Sequence, residues 1–594
     1  LAYTHLLSLI SIETNPLLLM DIIMITIKKT HLLLLTTLFS PALYAAYEPA
    51  VEAQQGMVVS SQHLASQVGK DILQKGGNAI DAAVAVGYAQ AVVNACCGNI
   101  GGGGFMTIHL ADGTNTFINF RETAPTAASK NMYLDKDGNL IKEASLYGYL
   151  ASGVPGTVKG LDAALEKYGT LSRQEVMAPA IKLAREGYIL TRADTDVLDT
   201  TTERFKQDPE SAKIFLKPDG TPWQPGDRLI QTDLANTLEL IANQGADAFY
   251  QGEIPKKVEQ ASKQHNGLLT KEDFANFTIT ETPPITCTYR GYEFISAPPP
   301  SSGGVTICQT LNILEGYDLK SMGFNSAEYV HTLTEAMRHA YMDRNTFLGD
   351  PQFINNPTEK LLSKTYAAEL RQQITPNKAT PSEKVQPGIA PHESPETTHY
   401  SVIDKDGNAV STTYTINGRF GAVVIAPGTG FFLNNEMDDF TTKVGEKNLY
   451  GLVQGERNSI APLKRPLSSM SPTIVTKDGK PFLVLGSPGG SRIISITLQT
   501  ALNIIEFGMS PQEAVNSPRI HHQWLPDEVY YEQRGLSKDT LEKLSAIGYK
   551  MVEQTPWGAA ELIMVGLPGE QGVIPASSGN DSAVSGAIRE GYLY

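Results

Sequence analysis

Three pairs of β-rich segments, each joined through an Asp-Gly dipeptide, constrain the fold of this chain more than any other feature. They are residues 105–110 with 116–121 around Asp112-Gly113, 399–403 with 409–415 around Asp406-Gly407, and 473–475 with 482–486 around Asp478-Gly479. Asp-Gly between alternating strands is a strong hairpin signal, because tight hairpin turns need residues that tolerate positive φ. Hairpins this far apart, with helical patterning between and after them, predict a layered α+β architecture. Residues 56–61 read as a short strand. Helical patterning follows over 63–95, broken at Gly76-Gly77. The run from Ile80 to Gly87 is small and apolar on most sides, which predicts a buried helix. The region 150–375 reads as largely helical, for example over 158–167, 173–186 and 327–344. At 594 residues the chain exceeds what one core usually serves, so several domains or one body of closely packed parts are expected.

The texture changes over 375–396. Pro376, Pro381, Pro387, Pro391 and Pro395 fall there among Lys, Glu, Ser and Gly. Prolines at that density exclude a helix or a central strand and predict an exposed linker. A β-rich core sequence begins directly after it, at Thr397. An internal threonine hydroxyl has no base beside it. At a chain's N-terminus its own α-amine, with a pKa of about 7.7–8.0, can take the hydroxyl proton. Cleavage between Glu396 and Thr397 would therefore create nucleophile and base in one residue. The alternative is that Thr397 and Thr398 simply open a strand, which β-branched residues favour.

A formal net charge of −15 argues against a nucleic-acid partner. It also requires any anionic substrate to be caught by a local cation. Residues 1–45 carry Lys28 and Lys29, an apolar run over 32–39 and small residues up to Ala45. That is the layout of a cleavable secretory signal and predicts a periplasmic or secreted protein; an uncleaved anchor is the alternative. Residues 1–23 are expected to precede the true start at Met24. Of the four cysteines, the adjacent Cys96 and Cys97 are not expected to pair, whereas Cys287 and Cys308 could bridge a loop. There is no C-x-x-C spacing for zinc. The glycine runs at 101–104 and 486–490 lack the Lys-Ser/Thr of a phosphate loop. Glu436, Asp438 and Asp439 lack metal-ligand spacing, so neither metal nor organic cofactor is expected. Ser301 and Ser302 follow three prolines rather than the strand–turn–helix of a serine nucleophile. His399 is expected to pack within its strand, and the sequence names no partner for His521 or His522.

One set of motifs goes further. Thr397-Thr-His-Tyr-Ser-Val, Thr415-Ile-Asn417, Asn434-Asn-Glu-Met-Asp-Asp-Phe440, Arg465-Pro-Leu-Ser-Ser-Met-Ser-Pro472 and Gly486-Ser-Pro-Gly-Gly490 resemble the small subunit of the gamma-glutamyltransferase family. Gly101-Gly-Gly-Gly-Phe105, Phe120-Arg-Glu-Thr-Ala-Pro125 and Pro298-Pro-Pro-Ser-Ser-Gly-Gly304 resemble its large subunit. The motifs run in the family's order from about Val58 to the C-terminus.

The resemblance implies an N-terminal nucleophile hydrolase with a four-layer αββα sandwich. It implies division into 1–45, a large subunit 46–396 and a small subunit 397–594, the last two remaining together as a heterodimer cut from one precursor. Thr397 would be the nucleophile, Thr415 its partner hydroxyl, and Gly489 and Gly490 the backbone oxyanion donors. Arg121, Ser468 and Ser469 would hold the substrate α-carboxylate. Asn417, Glu436 and Asp439 would surround its α-amine, and Tyr450 would gate the loop 441–458 over the pocket. The implied activity cleaves the γ-glutamyl amide of glutathione and related compounds through a threonyl ester, passing the group to amino acids, peptides or water. Two other readings remain: a cephalosporin or glutaryl acylase, whose substrate lacks the α-amine, and a processed but inactive binding protein.

Overall fold

The computed structural model describes residues 50–385, 397–443, 455–569, 572–574 and 584–588. The signal-like segment, the second half of the linker with Glu396, and Tyr450 lie outside the described residues.

All three Asp-Gly hairpins form. At Asp478 and Gly479 both φ values are positive, 51° and 76°, as a two-residue type I′ turn requires. The other two are three-residue loops ending on a glycine. They are closed by the Leu110 N–H on the Thr114 carbonyl (2.9 Å) and the Asp404 N–H on the Asn408 carbonyl (3.0 Å).

The hairpins build two antiparallel sheets. The first has six strands in the order Gly56–Ser60, Thr398–Asp404, Ala409–Thr415, Gly103–His109, Asn115–Asn119 and Thr280–Thr282. The second has seven: Val51–Ala53, Val584–Ile588, Glu561–Val565, Lys480–Gly486, Thr473–Lys477, Tyr292–Ser296 and Ile285–Tyr289. Met57, Val59, Ile403 and Ala409 of the first pack on Ile295, Ile474, Val484 and Ile563 of the second. The outer face of the first sheet is covered by helices His63–Gln74 and Ala79–Val93, with Arg173–Glu186 behind. The outer face of the second is covered by Gly303–Leu314 and Arg492–Ile505, with Ala327–Phe347 behind. The result is the expected αββα sandwich, and its α+β class follows from all-antiparallel pairing. The Ala79–Val93 helix is buried along its whole length, and its first N–H groups meet the Asp404 carboxylate and the Asn78 side chain. An anion at a helix N-terminus is stabilising, so this helix is tied to the end of the strand that begins at Thr398. No helix among the described residues is long and apolar enough to cross a membrane.

Three expectations need correction. Residues 280–296 are not helical: they form three strands, turned at Arg290-Gly291, both at positive φ. The linker is exposed over 375–378 but not along all of its described length. Ser382 and Val385 are buried, because Asp527 accepts the Ser382 N–H (2.8 Å) and the Trp524 indole donates to the Ser382 carbonyl (3.0 Å). Prolines forbid a helix there but do not prevent docking. Finally, Cys96 and Cys97 are bonded to each other, the turn after Asn94 bringing both thiols to one side. Cys287 and Cys308 form a second disulfide with their Cα atoms 5.8 Å apart.

Close backbone approach fixes the end of the first sheet. A Cβ on Gly102 would lie 1.9 Å from the Thr415 carbonyl oxygen. We predict that Gly102→Ala lowers stability by roughly 1–3 kcal/mol or more, read as a drop in urea midpoint; an unchanged midpoint would show that the two strands can separate at no cost.

Candidate active site

Alternation along a strand decides which way the candidate nucleophile faces. In Thr398–Asp404, Tyr400 and Val402 join the helix-side core, while Ile403 points between the sheets. Thr397, His399 and Ser401 share that inner side. In the partner strand Ala409 points inward and Ser411 reaches across to the Leu485 carbonyl. Thr413 and Thr415 follow on the same side. Register pairs Thr398 with Tyr414, so Thr397 and Thr415 meet at the sheet end. Their hydroxyl oxygens are 3.5 Å apart, and both side chains are buried. The Thr415 hydroxyl also accepts the Asn417 N–H at 2.8 Å. Asn417 has φ +69°, a left-handed turn that asparagine tolerates, and its amide donates to the Asn435 carbonyl at 3.0 Å.

That bond leads to the acidic segment. Asn434 donates to the carbonyls of Gly101 and Gly153 and accepts the Glu436 N–H. Asn435 accepts the Gly418 N–H and donates to Leu146. These two amides hold the short helix Glu436–Asp439 against the glycine run. Arg121, at the end of the first hairpin, is fully buried. Its guanidinium pairs with Glu436 and Asp439, lies 3.7 Å from Glu122, and donates to the carbonyls of Pro466 and Leu467. Ser468 and Ser469 follow directly in the chain.

Ser468 is clamped by its neighbours. Its N–H meets the Pro300 carbonyl, and its own carbonyl accepts from both the N–H and the hydroxyl of Ser302, each at 2.7 Å. Ser469 accepts from Arg344 at 2.6 Å. Gly489 and Gly490, at φ +137° and +57°, form the turn between the strand ending at Gly486 and the helix Arg492–Ile505. Gly486 is where the His399 ring packs: a Cβ there would meet the ring at 2.2 Å. The glycine turn thus starts from the strand facing His399, two residues along from Thr397.

The structure therefore brings Thr397, Thr415 and Asn417 together at one sheet end. It places Arg121, Glu436 and Asp439 in contact, with Ser468 and Ser469 beside them. His399 is packed, as expected. Its ring bonds to the Thr413 and Ser401 hydroxyls, and burial pushes its pKa down to about 3. His521 has partners the sequence did not reveal, in Ser495 and Gln523, and His522 lies 3.5 Å from Asp527. Ser301 and Ser302 act as struts, donating to the carbonyls of Met470 and Ser468. Sequence reasoning missed Glu122, Asn434, Asn435 and Arg344 as members of the site. The first three stand inside motifs already singled out; Arg344 carried only the signal of a charge on a long helix.

Comparison with known proteins places the chain. The family model described as gamma-glutamyltranspeptidase matches residues 65–585. The chain belongs to the gamma-glutamyltranspeptidase family. A relative named glutathione hydrolase proenzyme, from Pseudomonas sp. (strain A14), is 56% identical over 538 residues, covering 90% of this chain and 94% of the relative. The gamma-glutamyltranspeptidase structure from Helicobacter pylori is 45% identical with a TM-score of 0.56, covering 57% of this chain and 97% of that one. A cephalosporin acylase structure from Bacillus halodurans superposes with a TM-score of 0.79 at 27% identity, covering 93% of this chain and 97% of that one. The fold is thus shared by proteins named for different activities.

Charge in this buried cluster is unbalanced in groups: three carboxyls lie beside one guanidinium. Burial pushes Glu122 up to about 7 and Glu436 up to about 8, against the pull of Arg121. Unfolded glutamates titrate near about 4.3, so the folded state holds these protons more tightly. The stability they contribute is complete below the unfolded value and is lost as pH rises through about 7 and about 8. In an uncut Thr397→Ala background, Glu436→Gln should flatten the fall in urea midpoint between pH 5 and pH 8.5 (about the window set by those values). Identical slopes with and without Glu436 would remove it as a source of the dependence.

Proposed function

We propose that this chain is an autoprocessed gamma-glutamyltransferase and glutathione hydrolase with Thr397 as its nucleophile. The observation that carries the reading is the meeting of Thr397 and Thr415 at a sheet end, in a fold whose pocket also holds buried Arg121 with Glu436 and Asp439. The proenzyme name of the 56%-identical relative supports the processing step. In that step the Thr397 hydroxyl attacks the Glu396 carbonyl, the peptide becomes an ester, and water releases Glu396 as a carboxylate and Thr397 as a free amine. The large subunit is 46–396 and the small subunit 397–594.

In turnover the Thr397 Oγ attacks the γ-amide carbonyl of the substrate while its α-amine takes the proton. The N–H groups of Gly489 and Gly490 stabilise the oxyanion. The amine returns the proton to the leaving nitrogen, and a γ-glutamyl ester remains on Thr397. Water, or the amine of an amino acid or peptide, attacks that ester and frees the enzyme. The γ-glutamyl group ends in an ammonium and a carboxylate. Arg121 offers a bidentate fork to the carboxylate, with Ser468 and Ser469 adding donors. Asn417, Glu436 and Asp439 offer acceptors to the ammonium, whose charge draws the retained proton off Glu436. Tyr450 closes the pocket. The signal-like residues 1–45 and the Cys287–Cys308 disulfide support an oxidising, periplasmic or secreted location.

Acylase activity is the second reading, supported by the superposition on the cephalosporin acylase. A glutaryl group lacks the ammonium, so γ-glutamyl and glutaryl anilides separate the two. We predict a preference for the γ-glutamyl anilide of about a hundredfold or more in kcat/KM, as expected when a site built to bond an amine meets a substrate without it. Equal or faster glutaryl release would replace our reading with the acylase. Thr397→Ala should yield one uncut, inactive chain on a denaturing gel; normal cleavage in that variant would refute self-processing.

A further inference from the structure

Arg344 has no part in the roles assigned above, yet its contacts converge on the serines that follow the two carbonyls held by Arg121. It lies on the helix Ala327–Phe347 and is 1% exposed. Its Nε donates to the Ser302 hydroxyl at 2.7 Å and its Nη2 to the Ser469 hydroxyl at 2.6 Å. Nη1 is held by Asn345 at 2.9 Å. The Ser302 hydroxyl passes the connection on to the Ser468 carbonyl. One planar fork therefore fixes two consecutive serines at once, one directly and one through Ser302. A hydroxyl that accepts from a guanidinium must orient its own O–H elsewhere, and the donating cation makes that O–H a stronger donor.

We propose that Arg344 is a positioning residue for recognition of the substrate α-carboxylate. It turns Ser469 into an oriented, polarised donor and locks Ser468 in register beside it. A lysine would keep the charge but not the fork, since a single ammonium cannot hold both hydroxyls in one plane. The inference rests on the γ-glutamyl reading above.

The test compares two donors, γ-glutamyl-4-nitroanilide and the same anilide with its α-carboxylate converted to a carboxamide. In the processed parent enzyme the acid should be preferred. In Arg344→Gln, KM for the acid should rise about tenfold, the scale of one charge-assisted bond, with kcat held within about threefold, so that the preference over the carboxamide falls by a similar factor. Arg344→Lys should lie between the two. If Arg344→Gln remains uncut, Ser302→Ala takes its place, because it removes the shared hydroxyl and leaves the charge; the preference should still fall. A parent that discriminates beside a substituted enzyme that discriminates equally overturns the role of Arg344 alone. A parent indifferent to the carboxamide overturns the γ-glutamyl reading, and this inference with it.

Discussion

The strand Thr398–Asp404 is paired on both sides, to Gly56–Ser60 and to Ala409–Thr415, and the account depends on that constraint. A chain can be cut immediately before a strand only if the strand stays in place without its upstream covalent neighbour. Here two ladders hold it, the Asp404 carboxylate ties its far end to the buried Ala79–Val93 helix, and Ile403 anchors it between the sheets. A newly created N-terminus at Thr397 would lie one residue before the Thr398–Tyr414 rung, the second ladder joining from Tyr400. Because one neighbouring ladder comes from before the cut and the other from after it, the same pairing would also keep the two products together.

The second organising feature is electrostatic. Burying one guanidinium among three carboxylates costs desolvation that pairing only partly recovers. The cost appears as protons retained on Glu122 and Glu436. Under the proposed function, a ligand carrying both charges would compensate this cluster, its carboxylate taking over the guanidinium and its ammonium the acids. The neutral segments around it are held by amides and serines: Asn434, Asn435, Ser302 and Ser468 bind backbone groups of several separate stretches.

Much of this was legible in the sequence, and the reasons differ by element. Asp-Gly dipeptides report local turn chemistry, so all three hairpins could be placed, and a helix rich in alanine and valine with no polar face could be recognised as buried. The strands at 280–296 were missed because two of them, Thr280–Thr282 and Ile285–Tyr289, are sheet edges that leave threonine and glutamate outward, blurring the alternation. The docking of 382–385 was invisible because its partners, Trp524 and Asp527, are far away in the chain. Arg344 was hidden for a related reason. The helix Ala327–Phe347 is buried from Tyr329 to Asn345, yet it carries Glu335, Arg338, His339, Asp343 and Arg344, which on pattern alone suggest a wet face. Pattern reports where a helix could be exposed; only the folded chain reports which charges have been given buried partners.

The central claim is that the reacting oxygen belongs to Thr397 at a chain terminus. Its most direct test is mass spectrometry of the purified protein, mixed with a γ-glutamyl donor and quenched in acid during turnover. The account predicts a small chain whose first residue is Thr397, with one γ-glutamyl group attached to that residue as an ester. An adduct on another side chain, or turnover by a protein still joined through Glu396–Thr397, would contradict it.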